Sequence, residues 1–144
     1  MAKTTFLKVE VEDWIREHLS ELHGQPFKSA LLKLQPGGEH EFDAVSEDGQ
    51  IVCSIKTSSG LTSGGNIPQG KLTSCITEIY YLNLIQAQLR QLILTNEEFF
   101  HIFQKVTKEK IAEGIVITHI GLPPQMQLKV DEVIRKASDE MRKS

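Results

Sequence analysis

Apolar residues recur at helical spacing from Val9 to Leu22, with Val11, Trp14, Ile15, Leu19 and Leu22 on one stripe. Gly24 and Pro26 follow, so the pattern predicts a helix that ends before them. The segment "FKSALLKL" (27–34) is strand-like, and "QPGGEH" behind it is a turn cluster. "EFDAVS" and "QIVCSIKT" then flank "EDG", the pattern of two strands joined by a tight turn. Residues 57–70, "TSSGLTSGGNIPQG", hold little to bury and predict a loop of a length that is often functional.

Helical rhythm returns in "KLTSCITEIYYLNLIQAQL", where Leu72, Ile76, Ile79, Tyr80 and Leu84 form the expected stripe. "RQLILT" reads as a buried strand, and "NEEFFHIFQKV" as a helix that Asn96 can cap. "GIVITHI" is a further strand, and Pro123 to Met141 predicts a last helix with proline near its start. The order is α-β-β-β-α-β-α-β-α. An antiparallel meander followed by βα units implies an α/β fold with a mixed sheet and helices on both faces. The second and third strands and "RQLILT" are apolar on both faces and belong in its centre.

Composition narrows the class. At 144 residues the chain suits one domain, 1–144, with a single sizeable core. No apolar run approaches the ~20 residues that cross a bilayer. The start, "MAKTTFLKVEVEDW", lacks the apolar stretch of a signal peptide. These features lead us to expect an intracellular, cytoplasmic protein with no membrane partner. Cys53 and Cys75 fall inside predicted elements and suit reduced packing residues rather than a disulfide framework. A net charge of −3 disfavours tight, indiscriminate nucleic-acid binding but leaves room for a local basic face.

The hairpin carries the chemistry. On "IVCSIK", Ser54 and Lys56 share a face, and a regular register lets Asp43 approach it from the neighbouring strand. An Asp inside a buried strand needs a reason to be there. Its carboxylate and the carbonyl of Ile55 are hard oxygen ligands suited to Mg²⁺ or Mn²⁺. Lys56 can orient the attacking water and neutralise the charge growing on a phosphodiester.

With "EFD...SIK" on strands two and three, the order of elements over residues 9–95 resembles the PD-(D/E)xK nuclease superfamily. Restriction endonucleases and Holliday-junction resolvases belong to it. The resemblance implies an αβββαβ core, here with a C-terminal α-β-α extension. It implies metal-dependent DNA endonuclease activity, with Asp43 as metal ligand and Lys56 as catalytic lysine. Ser54 occupies the place of the second strand carboxylate. Some restriction enzymes of the superfamily supply that group from the next helix, which makes Glu78 the candidate here. The resemblance matches Glu12 on the first helix to the helical Glu that many members add. A homodimer is common where both strands of a duplex are cut. The alternative is a nuclease fold without catalysis that binds nucleic acid or protein.

Other motifs carry less. "GNIPQGKLT" (65–73) has the spacing of a phosphate-binding P-loop, but Leu72 replaces the metal-binding hydroxyl and Pro68 removes an N–H. What survives is Lys71 as a nucleic-acid phosphate contact near a helix N-terminus. The five histidines show no paired ligand spacing. His18 is expected in the core and His40 at a turn edge beside the site. "FFHIF" is expected to be a core stripe.

Overall fold

The computed structural model describes residues 2–57 and 69–143. Its elements are α1 (Ala2–His23), β1 (Phe27–Lys33), β2 (Glu39–Ser46), β3 (Ile51–Lys56), α2 (Gln69–Asn83), β4 (Leu89–Leu94), α3 (Glu97–Val106), β5 (Ile115–His119) and α4 (Pro124–Lys143). The order is the one expected from periodicity. Of the expected 57–70 loop, residues 58–68 lie outside the described residues, and Gln69 and Gly70 open α2.

The strands form one sheet in chain order, β1-β2-β3-β4-β5. β2 pairs antiparallel with β1 and β3, whereas β3, β4 and β5 pair in parallel. β2 alone therefore runs against the other four strands. The parallel joints require crossovers, and α2 and α3 supply them. β3 lies at the centre, as its two apolar faces require, and β4 buries Leu92, Ile93 and Leu94 together.

Alternation along the strands feeds two cores. Val52, Leu92, Leu94 and Phe42 pack against Cys75, Ile79 and Leu82 of α2 and Phe99 and Phe103 of α3. Cys53, Ile55, Ile93 and Ala44 pack on the other face against Val11, Ile15 and Leu19 of α1 and Val130 of α4. The "FFHIF" segment is a core stripe, with Phe99 and Phe103 buried and His101 turned outward. Both cysteines are buried thiols with no disulfide.

Local chemistry sets the helix ends. Gly24 adopts the left-handed conformation that ends α1, at φ 69°, and its N–H reaches the Ser20 carbonyl at 2.9 Å. The Asn96 side chain accepts the Phe99 N–H at 2.8 Å and caps α3. α2 stops at Asn83, earlier than its sequence rhythm suggested. There the Arg90 guanidinium donates to the carbonyls of Leu82 at 3.1 Å and Ile85 at 3.5 Å.

Three sequence expectations change. Leu22 is 66% exposed, so the buried stripe of α1 is Leu7, Val11, Ile15 and Leu19. His18 is exposed and stacks on Trp14 with ring centroids 5.3 Å apart, rather than sitting in the core. On α2, Ile76 and Tyr80 are 49% and 58% exposed, while Cys75, Ile79 and Leu82 are buried. Cys75 acts as a small hydrophobe, and the buried face of α2 centres on it and its i+4 and i+7 neighbours.

Candidate functional site

The hairpin departs from a regular ladder where the chemistry is expected. Lys28 pairs with Val45 and Ala30 with Phe42, so two steps on β1 span three on β2. The extra residue is a β-bulge at Asp43 and Ala44. It breaks strict alternation, which is why Phe42 and Val45, three apart, both enter the α2-side core. Between β2 and β3 the paired residues are Ala44 with Cys53 and Val45 with Val52. Past that point the Asp43 side chain replaces the ladder, its Oδ2 accepting the Ile55 N–H at 2.7 Å. Ile55 thus meets Asp43 through its N–H.

α1 lies over the bulge. Arg16 donates from Nη1 to the Asp43 carbonyl at 2.7 Å and from Nη2 to Asp13 Oδ1 at 2.6 Å. One turn earlier, Glu12 points at the same place and shares a side-chain hydrogen bond with Asp43. Burial pushes the Glu12 carboxyl up to about 7, and the negative charge of Asp43 adds to the rise. Lys8 and Arg16 pull the other way. The Glu12 side chain keeps only 13% exposure. The Glu12 carboxyl is therefore held beside Asp43 and keeps its proton to higher pH than an exposed glutamate would.

A second polar group lies on the α2 side of β3. Ser54, fully buried, donates from Oγ to Glu78 Oε2 at 3.0 Å. His40 Nε2 meets the same oxygen at 3.2 Å. The imidazole lies flat on Tyr81, with centroids 3.7 Å apart and planes within 7°, and meets Phe42 edge-on at 4.9 Å. The phase of α2 explains how Glu78 gets there. With Cys75, Ile79 and Leu82 inward, position 78 also faces the sheet, where a lone carboxylate is costly and a paired one is not.

Lys56, two residues on from Ser54 along β3, faces the same side of the sheet. Its positive charge lowers the Cys75 thiol, which burial pushes up to about 11, while Glu78 raises it further. Cys53, on the opposite face, is pushed up to about 12 by burial, with Asp43 adding to the rise and the Gln91 amide opposing it. Lys71 sits in the first turn of α2, half-buried, and burial lowers its pKa. The structure thus joins Glu12 to Asp43 and Glu78 to Ser54. The two pairs approach the hairpin from opposite layers and meet adjacent residues of β3, Ile55 and Ser54.

Among the described residues, no three His, Cys, Asp or Glu side chains gather around one point. The Glu12–Asp43 pair still fits Mg²⁺, which is commonly held by one or two carboxylates with water filling the other positions. Sequence reasoning passed over Arg16 and Tyr81 and left His40 at a turn edge. A signal for His40 existed: it is two residues from the core Phe42 on one strand, hence on the same face toward α2. Comparison with protein-family models, curated proteins and solved structures gives no match for this chain.

Proposed function

We propose that the bulged hairpin is the active site of a metal-dependent phosphodiester hydrolase acting on DNA, built on the plan of the PD-(D/E)xK nucleases. The observation that carries this reading is the contact between the Glu12 and Asp43 carboxyl groups where the β2–β3 ladder opens. Two acids held side by side, mostly out of water, are unfavourable unless a proton or a cation lies between them. The run α1-β1-β2-β3-α2-β4, which follows the αβββαβ order, supports the same reading.

Glu12 and Asp43 would hold Mg²⁺ or Mn²⁺, and Arg16 fixes the bulge that aims Asp43. The bound ion would supply a water of lowered pKa and a counter-charge for the phosphate. Glu78, the helical acid expected to replace the carboxylate absent at Ser54, is bonded to Ser54 and His40 instead and does not join the Glu12–Asp43 pair. Lys56, next to Ile55 on β3, neutralises charge developing on the phosphodiester and orients the attacking water. Lys71, in the first turn of α2, contacts a phosphate of the DNA backbone. A homodimer would bring two such sites to the two strands of a duplex.

A second reading, a binding module of the same fold without catalysis, draws on a different observation. Glu78 is already bonded to His40 and Ser54, and no third ligating side chain joins Glu12 and Asp43 among the described residues. Incubation with single-stranded, duplex and branched DNA in Mg²⁺ or Mn²⁺ separates the two. Cleavage that disappears in Lys56→Ala is expected. Equal cleavage in Lys56→Ala removes the lysine from the chemistry, and DNA binding without cleavage favours the module.

A further inference from the structure

We propose that the open edge of β5 is the surface on which two copies of this chain pair, antiparallel about Ile117, into one continuous sheet. This gives a surface to the homodimer of the hydrolase reading, and it is tested without DNA or metal, so its failure leaves that chemistry standing.

The two edges of the sheet are built differently. β1, at one edge, carries Lys28 and Lys33, and its register with β2 breaks between Lys28 and Ala30. Lysines and irregular register are devices that keep an edge strand from pairing with another chain. β5, at the other edge, reads "IVITH" and matches β4 without a break from Ile115 to His119. It contains no lysine or proline, and among the described residues no strand lies on its outer side.

The ladder shows which groups that edge offers. The Gly114 carbonyl accepts the Arg90 N–H at 3.3 Å, and the Ile120 N–H donates to the Leu94 carbonyl at 3.1 Å. Successive residues of a strand turn their main chain to opposite sides, so even-numbered positions of β5 bond β4 and odd-numbered ones face outward. The Ile115 N–H is taken by the Ala112 carbonyl at 3.3 Å. The edge is left with the N–H and carbonyl of Ile117, the N–H of His119 and the carbonyl of Ile115. A second copy turned about a two-fold axis at Ile117 matches this set. The two Ile117 residues exchange both bonds, and each His119 N–H meets an Ile115 carbonyl. Val116, 45% exposed, then lies opposite Thr118 of the second copy, a β-branched pair.

Charge selects a copy of the same chain as the occupant. Two open grooves run between β5 and α3. At the start of β5 the lining includes Lys105 and Lys108, with Glu109 the one acid there among the described residues. At its end the lining includes His119, Glu97, Glu98 and Asp131. His101 borders both grooves. The edge therefore has a basic end and an acidic end, and the two-fold axis sets each against the other. Self-complementarity of this kind is what an isologous interface requires.

The test is sedimentation velocity on the full chain, joined to amide hydrogen exchange. The unchanged protein is expected to form a dimer that weakens as NaCl is raised. Lys105→Glu with Lys108→Glu makes both ends acidic, and Glu97→Lys with Glu98→Lys makes both ends basic. Each double variant alone should be monomeric, and an equal mixture of the two should dimerise again. A monomeric unchanged protein overturns the proposal, and so do double variants that dimerise as well as the unchanged chain. Exchange tests the strand itself: on dilution to monomer the Ile117 and His119 amides should speed up by about tenfold or more, while those of Val116 and Thr118, bonded to β4, hold steady. A dimer in which the Ile117 amide exchanges freely uses another surface and overturns the proposal. If a double variant does not fold, exchange in the unchanged protein decides.

Discussion

Glu12 is the residue whose environment departs furthest from what its position in the chain suggests. On a surface helix it would ionise near the ordinary value of 4.5; here burial, with Asp43 beside it, moves it to about 7. Between those values the folded protein holds a proton that the unfolded chain has lost, so stability falls as pH rises through this window. The contribution is fully present below about 4.5 and gone above about 7. Glu12→Gln keeps the shape and donates an N–H to Asp43 without the charge. We expect it to stabilise the fold at pH 8 by on the order of 1 kcal/mol, after allowing for screening by water, and to change little at pH 4. Urea unfolding at the two pH values checks this, and a difference independent of pH would contradict it. At this scale the sequence singled out Asp43 and Lys56, because both are unusual on a buried hairpin. It did not show who pairs with whom. One extra residue in β2 redirects Asp43 toward α1, and no local pattern in "EFDAVS" announces it.

At the scale of elements, the rhythm that located α2 also misjudged its rotation. Ile76 and Tyr80 are both larger than Cys75, yet the helix buries Cys75 and exposes the larger pair. The polar partners decide the matter: Ser54 and His40 wait on the sheet for Glu78, and turning α2 to bury Ile76 would carry that carboxylate away from them. A second tie between elements involves Arg90, which donates to Leu82 and Ile85 at the end of α2 and to Glu113 before β5. Gly114 makes room for it, at φ 91°, where an added Cβ would lie 2.6 Å from Arg90 Nη2. Gly114→Ala therefore forces an unfavourable backbone conformation and displaces the guanidinium. A loss of about 2 kcal/mol is expected in urea unfolding, and a change within 0.5 kcal/mol, typical of a neutral surface substitution, would contradict it.

For the whole molecule, the mixed character of the sheet followed from simple pattern rules. A meander of three short strands, then strands separated by helices, yields antiparallel and then parallel joints, and doubly apolar strands take the centre. No helix among the described residues is long and apolar enough to cross a membrane. What the pattern could not supply is the layering of the site. Glu12 and Asp43 meet on the α1 side, and Ser54, Glu78 and His40 meet on the α2 side, with Ile55 and Ser54 as the joint between them. That arrangement depends on helix phase and on the bulge together, which are tertiary quantities. The central claim is that the Glu12–Asp43 pair is a cation site. Calorimetric titration of Mn²⁺ at pH 8, above the value of about 7 to which Glu12 is raised, tests it in the unchanged protein, Asp43→Asn and Glu12→Gln. One bound ion, lost in Asp43→Asn and weakened in Glu12→Gln, is the expected result; equal binding in all three, or none in the unchanged protein, would contradict it.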